Sequence, residues 1–270
     1  MKGASEERRE GQARVMRRLE ALNARFYERY ATQFDGTRMS AWEGWETIIS
    51  ELPRRAPFKV LDLGCGNGRL ARVLQLAQER DPTLHVEGYR GLDRCEALLE
   101  AAERHAHARG LSFPCSWARW GWGELDEQAS ASPWAQPEWG WVTLFGVTHH
   151  VFSFERRLAL LSSAARCLAP GGRLSVSFWD FGASERWRGK QASWERVTAE
   201  WGDDRAWLEE GDALLGWGGS HETLRYCHWV SPDEELRLSD ALCALHPLKA
   251  LPPHRDPKGH NRYRCWVSAP

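Results

Sequence analysis

With 270 residues the chain suits one large domain with an insertion, or one domain and a lid, around a sizeable core. A formal net charge of −1 excludes a global positive field that would draw it to nucleic acid, so any such contact needs a local patch. The first fourteen residues hold no apolar h-region and no apolar run approaches the roughly 18 residues of a membrane span, so a cytoplasmic protein without a membrane partner is expected. The first element is a helix over 5–31, whose apolar face is Val15, Leu19, Leu22, Phe26 and Tyr30. Its other face carries Arg8, Arg9, Arg14, Arg17, Arg18, Arg25 and Arg29. Glu6, Glu7, Glu10, Glu20 and Glu28 interleave with them, so the face reads as a phosphate-contacting arm or as a solvated, salt-bridged surface. A second short helix ends near Leu52, and Pro53 and Pro57 close a helical cap of residues 1–56.

Residues 60–68 then read Val-Leu-Asp-Leu-Gly-Cys-Gly-Asn-Gly: an apolar strand, an acid near its exit, and glycines at alternate positions before a helix. A dinucleotide fold spaces its glycines as G-x-G-x-x-G to seat a pyrophosphate; here the third glycine comes one residue early, which shapes the loop for a ligand without one. S-adenosylmethionine fits, because its methionyl tail needs close backbone approach and its ammonium an acceptor such as Asp62. With this E/D-x-G-x-G-x-G form the chain resembles the class I S-adenosylmethionine-dependent methyltransferases, which makes Asp62, Gly64, Cys65 and Gly66 candidate cofactor residues. A second strand near 85–92 ends in Asp93. Alone, that acid reads as an N-cap for the helix 96–109; its position after the glycine loop favours the ribose hydroxyls, with Arg94 beside it.

Further strands are expected near 111–117, 140–147 and 173–179, with helices between, the last being 153–168 before the turn Ala169-Pro170-Gly171-Gly172. This alternation means a doubly wound, mostly parallel α/β sheet whose loops converge on one crevice. The third strand exits as Trp117-Ala118-Arg119-Trp120 without the acid many relatives place there, which leaves Trp120 as the candidate for stacking on adenine. Phe145 lies at the cofactor edge after the fourth strand, and His149 and His150 stand where the sulfonium methyl would point. An insert over about 181–221 reads as a lid or substrate element. A strand near 222–230 follows, and residues 252–259 read as a loop. The Rossmann-like fold implied by the resemblance runs its last strand, near 263–267, antiparallel in a domain spanning 57–270.

A phenol or ammonium acceptor needs a general base, for which His149 and His150 are candidates; a carboxylate needs arginine to desolvate and aim it. Thr37-Arg38 with Trp42, His149-His150 with Ser153, Arg156 and Arg157, and Arg225-Tyr226-Cys227-His228 are similar to the tRNA wobble-uridine carboxymethyl methyltransferases. The resemblance implies esterification of a carboxymethyl group on uridine, with Arg38 and a histidine on the carboxylate and Trp42, Arg156, Tyr226 and His228 as candidate substrate residues. The long basic inserts of that family are absent, and Cys227 stands where it commonly has a second tyrosine. A small-molecule O- or N-methyltransferase and a non-catalytic cofactor-binding adaptor are the other readings. Candidate partners are tRNA or a small-molecule acceptor, and a small activator protein. Seven scattered cysteines without C-x-x-C spacing indicate neither a disulfide frame nor zinc, and no histidine spacing supports a metal. Sixteen tryptophans, dense over 117–141 and 179–229, read as packing or as surfaces for stacking bases or aromatic substrates.

Overall fold

The computed structural model describes every residue except 1, 39, 55, 122–134, 200 and 219, and only the backbone of residues 2–9, 220 and 221. The side chains of Glu6, Glu7, Arg8 and Arg9, and much of the Trp-rich stretch 117–141, therefore lie outside the described residues. Two helices lead, α1 (Lys2–Thr37) and α2 (Glu43–Ser50). The alternation then runs β1 (Phe58–Leu63), α3 (Arg69–Arg80), β2 (Val86–Asp93), α4 (Glu96–Arg109), β3 (Cys115–Arg119), β4 (Trp139–Leu144), α5 (Phe154–Arg166) and β5 (Leu168–Trp179). An insert follows, with α6 (Glu185–Arg188), β6 (Gln191–Ala192), α7 (Glu195–Thr198), β7 (Asp212–Trp217) and β8 (Ser220–His228). The chain closes with α8 (Pro232–Leu245), β9 (Leu248–Ala250), β10 (His254–Arg255) and β11 (Asn261–Ser268).

The main sheet has the order β10-β11-β5-β4-β1-β2-β3, with β9 on β11. Its centre is parallel, β4-β1-β2, and β11 pairs antiparallel with β5, as the resemblance implies. Nearly every residue of β1 and β4 is buried, the pattern of strands covered on both faces. One face packs Leu160, Leu161 and Ala164 of α5 and Leu238 and Leu242 of α8 against Leu61, Val142 and Leu174. The opposite face packs Trp45 and Ile48 of α2 and Leu70 and Leu74 of α3 against Val60, Trp141 and Tyr263.

Several boundaries differ from the sequence reading. Helix α1 continues six residues beyond Ala31. Strand β3 starts at Cys115 because Pro114, which has no N–H to donate, precedes it. Ala169–Gly172 lies inside β5 as an irregularity: Trp139 pairs with Leu168 while Trp141 pairs with Arg173, so the extra residues bulge out. Helix α8 carries start signals the sequence reading passed over: Pro232 at its first position and Ser231, whose side chain accepts from the Glu234 amide at 3.2 Å. The short strand β10 occupies part of the expected loop 252–259.

The insert forms an antiparallel sheet β6-β7-β8, so the segment expected as one lid and the strand after it are a single unit. Helix α1 packs on that unit: Val15, Leu19 and Leu22 share a core with Leu214, Leu224 and Tyr226. Three of the described arginines of α1 find their acids there. Arg14 and Arg18 pair with Asp204 at 2.5 and 3.0 Å, and Arg29 pairs with Glu222 at 2.8 Å. Among the described residues no helix is long and apolar enough to cross a membrane.

Candidate active site

The carboxyl ends of β1, β2 and β4 open into a cavity of about 620 Å³, closed from above by α1 and by β7 and β8. Its floor is the loop after β1. The amides of Gly64 and Cys65 donate to the Leu92 carbonyl at 2.7 and 3.0 Å, tying the turn to β2. Gly64 sits at φ +83°, and a Cβ there would lie 2.3 Å from Val147 Cγ2; Gly66 sits at φ +53°, where a Cβ would meet the Phe34 ring at 3.8 Å. Asn67 Nδ2 donates to Asp35 Oδ1 at 2.7 Å and so fastens the loop to α1.

Two acids flank the loop. Asp93 Oδ2 accepts from the Gly66 amide and Oδ1 from the Cys95 amide, both at 2.9 Å. The first bond belongs to the glycine loop and the second to the turn into α4, whose N-cap position is Cys95 and not Asp93. A carboxylate offers about four lone-pair positions, which leaves acceptor capacity toward the cavity. Asp62 is buried between Thr143, whose hydroxyl donates to it at 2.6 Å, and Tyr89, whose hydroxyl also donates to it. Burial pushes its carboxyl up to about 6 against both hydrogen bonds. Cys65, Arg94 and Phe145 line the same cavity, and Arg94 reaches the Glu20 carbonyl of α1 at 3.4 Å.

Above this floor stand three arginines, each set against two aromatic rings. The Arg38 guanidinium lies 4.9 Å from the Phe34 ring centre and 5.9 Å from that of Trp217. Arg225 lies 4.8 Å from Phe26 and 5.4 Å from Trp179, and Arg69 lies 4.9 Å from both Trp42 and Trp45. No ion pair joins Arg38, Arg69 or Arg225 to an acid among the described residues; the ring faces supply the opposing charge. Arg225 is 6% exposed, and among the described residues its Nε has no hydrogen-bond partner while its Nη1 donates to the Tyr27 hydroxyl at 3.4 Å. Part of the tryptophan excess thus holds arginines.

The two histidines differ. His149 is 7% exposed, its Nδ1 has no partner, and its ring meets Trp179 edge-on at 5.3 Å. Burial first, then His150, Arg225 and Arg38, hold its pKa well below the ordinary histidine value, so it is neutral at pH 7. His150 is fixed on both sides, by the Tyr27 hydroxyl at Nε2 (2.7 Å) and the Tyr226 carbonyl at Nδ1 (3.0 Å), and burial followed by Arg225 pulls it down to about 3. His149, His150 and Cys227 bring ligand-type atoms within 4.8 Å of one another, yet both His150 nitrogens are already committed and the Arg225 cation stands beside them.

Four expected residues fall elsewhere. Trp120 is 5% exposed in the core with Leu92 and Val151 and does not line the cavity, so it stacks on no adenine; the chain turns inward one residue beyond Arg119. Arg156 lies on α5 outside the cavity lining. Tyr226 and His228 do share a face of β8, but it is the inner face. The Tyr226 hydroxyl donates to Asp212 at 2.8 Å, and His228 bonds Asp212 at 2.7 Å and Glu234 at 2.8 Å. Arg157 completes this buried cluster through Glu209 at 2.6 Å and Glu234 at 2.8 Å.

Among the described residues of β8 the one that lines the cavity is Arg225; a strand alternates its faces, and the sequence alone left open which face of β8 meets the cavity. Tyr27 was also missed. Its signal is a second stripe on α1, Asn23, Tyr27 and Phe34, set beside the apolar one and lining the cavity.

A family model described as a methyltransferase domain matches residues 17–234. The chain is 29% identical over 168 residues to tRNA (carboxymethyluridine(34)-5-O)-methyltransferase ALKBH8 of Macaca fascicularis, covering 62% of this chain and 21% of that protein. Among solved structures, an S-adenosylmethionine-dependent methyltransferase from Methanosarcina mazei superposes with a TM-score of 0.59 at 16% identity, over 82% of this chain and 97% of that one. The partner of the Haloferax volcanii Trm112 methyltransferase activator in their complex superposes with a TM-score of 0.59 at 12% identity, over 92% and 97%. Both structures share the fold.

Proposed function

The chain belongs to the methyltransferase-domain family and is an S-adenosylmethionine-dependent methyltransferase, and from that premise we propose that it transfers the methyl group to a carboxylate, forming a methyl ester. The cavity floor fits the cofactor: Gly64 and Gly66 line it without side chains and so allow backbone approach, Asp93 retains acceptor capacity, and Asp62 offers a buried acid for an ammonium. Asp62, Gly64, Cys65, Gly66, Asp93, Arg94 and Phe145 are the residues that would hold it. When bound, the cofactor supplies an electrophilic methyl group on a sulfonium.

The observation that carries the carboxylate reading is the pairing of Arg38 and Arg225, without acid partners among the described residues, with two histidines too weakly basic to take a proton at neutral pH. A phenol or ammonium would need a base here. A carboxylate is already ionised and needs only to be stripped of water and aimed, which two ring-backed guanidiniums can do. Trp42 lines the same space, and neutral His149 offers a hydrogen bond to a carboxylate or ester oxygen.

We assign the carboxylate to a carboxymethyl group on a tRNA uridine. The likeness to the macaque enzyme supports this, although the matched stretch spans about a fifth of that protein. A small-molecule carboxylic acid is the second reading. It is favoured by the neutralisation of Arg14, Arg18 and Arg29 through Asp204 and Glu222, which leaves α1 with less charge for phosphates. Incubation with radiolabelled cofactor and either bulk tRNA or a small-metabolite fraction separates the two. Label in tRNA that mild alkali releases is the expected result; label in metabolites alone would sink the tRNA assignment.

A further inference from the structure

We propose that Arg186, Trp187 and Lys190 form an anion subsite at the mouth of the cavity, and that it receives a phosphate of the nucleotide whose carboxylate reaches Arg38 and Arg225. The inference rests on the tRNA reading above and deepens it, since a small carboxylic acid has no use for a second anion site.

The turn around α6 makes the subsite. The Gly189 amide donates to the Glu185 carbonyl at 3.1 Å and the Lys190 amide to that of Trp187 at 3.0 Å, so residues 186 and 190 come to one side, four positions apart. Arg186 lies 5.7 Å and Lys190 5.2 Å from the Trp187 ring centre. Neither cation is ion-paired among the described residues, and both line the same cavity as Arg38 and Arg225. The burial gradient sets the order: Arg225 and His149 are buried, Trp187 and Lys190 half-buried, and Arg186 exposed.

The two anion sites share a wall. Trp187 meets Trp179 edge to face at 4.9 Å, and Trp179 in turn lies under Arg225 and against His149. A ligand with one anion on Arg225 therefore presents its next charged group one ring further out. A base with its acidic substituent innermost and its sugar-phosphate outermost has that polarity. An arginine fork and a lysine point charge against one flat ring suit a phosphate beside a nucleobase.

Calorimetry with 5-carboxymethyluridine and its 5′- and 3′-monophosphates tests the subsite without relying on turnover. At low ionic strength a monophosphate should bind about tenfold tighter than the nucleoside. In Arg186→Gln/Lys190→Gln the phosphorylated and unphosphorylated forms should bind within about twofold of each other, while Arg186→Lys retains part of the preference. Equal affinities in the unaltered protein, or a preference that survives the double substitution, would overturn the subsite. Methylation assays on the same compounds judge the acceptor separately: a phosphate preference without methyl ester on any of them would refute the carboxymethyluridine reading and leave the subsite standing.

Discussion

Arg38, Arg69 and Arg225 face rings, and not carboxylates, in the cavity, and Arg69, which burial pulls down to about 9, is still cationic at pH 7. An acid partner would neutralise a guanidinium before substrate arrived; a ring stabilises it by about 0.5–2 kcal/mol and leaves its donors available. Arg38→Ala and Arg225→Gln should therefore each lower kcat/KM for a carboxylate acceptor by about 10- to 100-fold, the range for one lost charge-assisted hydrogen bond. His149→Ala should cost less than Arg38→Ala in the same steady-state assay. The opposite ranking would mean an acceptor that needs a base. Asp62 sets a second expectation: with burial holding its carboxyl at about 6, the acid is ionised above that pH and protonates as pH falls through it. Cofactor affinity measured by titration calorimetry should fall below about pH 6, and Asp62→Asn should flatten that dependence.

At the level of elements, the insert is tied to the main domain by the cluster of Arg157, Glu209, Asp212, His228 and Glu234. Arg157 of α5 and Glu234 of α8 meet Glu209 and Asp212 of the insert around His228. Removing the one guanidinium strands buried carboxylates, so Arg157→Ala should destabilise the fold by about 3–5 kcal/mol in denaturant unfolding, with activity lost through displacement of Arg225. Burial disfavours the charged form of His228, but hydrogen bonds to Asp212 and Glu234 outweigh it and raise its pKa. Burial likewise works against ionised Glu234, but bonds from His228 and Arg157 lower it. A raised histidine contributes stability that is fully present below its ordinary 6.5 and fades as pH rises through the folded value. A lowered glutamate contributes above its ordinary 4.5 and fails as pH falls through the folded value. Melting temperature should hold between these limits and decline on the alkaline side, and His228→Gln should abolish that alkaline decline.

For the whole molecule, a net charge of −1 gives no global positive field, and the capture of Arg14, Arg18 and Arg29 by acids leaves α1 with less cationic charge for a polynucleotide. Binding of tRNA should consequently show a shallow salt dependence, with a slope of log K on log salt no steeper than about −2 if Arg186 and Lys190 take the phosphates. A slope several times steeper would require a basic surface outside the cavity. Helix α1 closes the cavity through Tyr27 and Phe34, with Arg38 just beyond its end, while its apolar face packs on the insert. The acceptor therefore enters a space walled by the ends of three otherwise separate parts of the chain.

The glycine loop, Asp93 and the alternation of strands and helices were legible in the sequence, because each depends on local spacing: a bare backbone turn, an acid at a strand exit, a run of buried β-residues; the antiparallel last strand came from the resemblance to the methyltransferases. Arg38 and Trp42 came from the resemblance and His149 from its place at the exit of the fourth strand, and all three line the cavity. Tertiary structure alone decided between Arg225 and its neighbours Tyr226 and His228, since period-two alternation shows which residues share a face but not which face meets the cavity. It also decided that Trp120 is core, and that tryptophans 42, 45, 179 and 217 stand against arginines. Those partners lie many residues apart in the chain, and only packing brings a ring from one element over a cation from another.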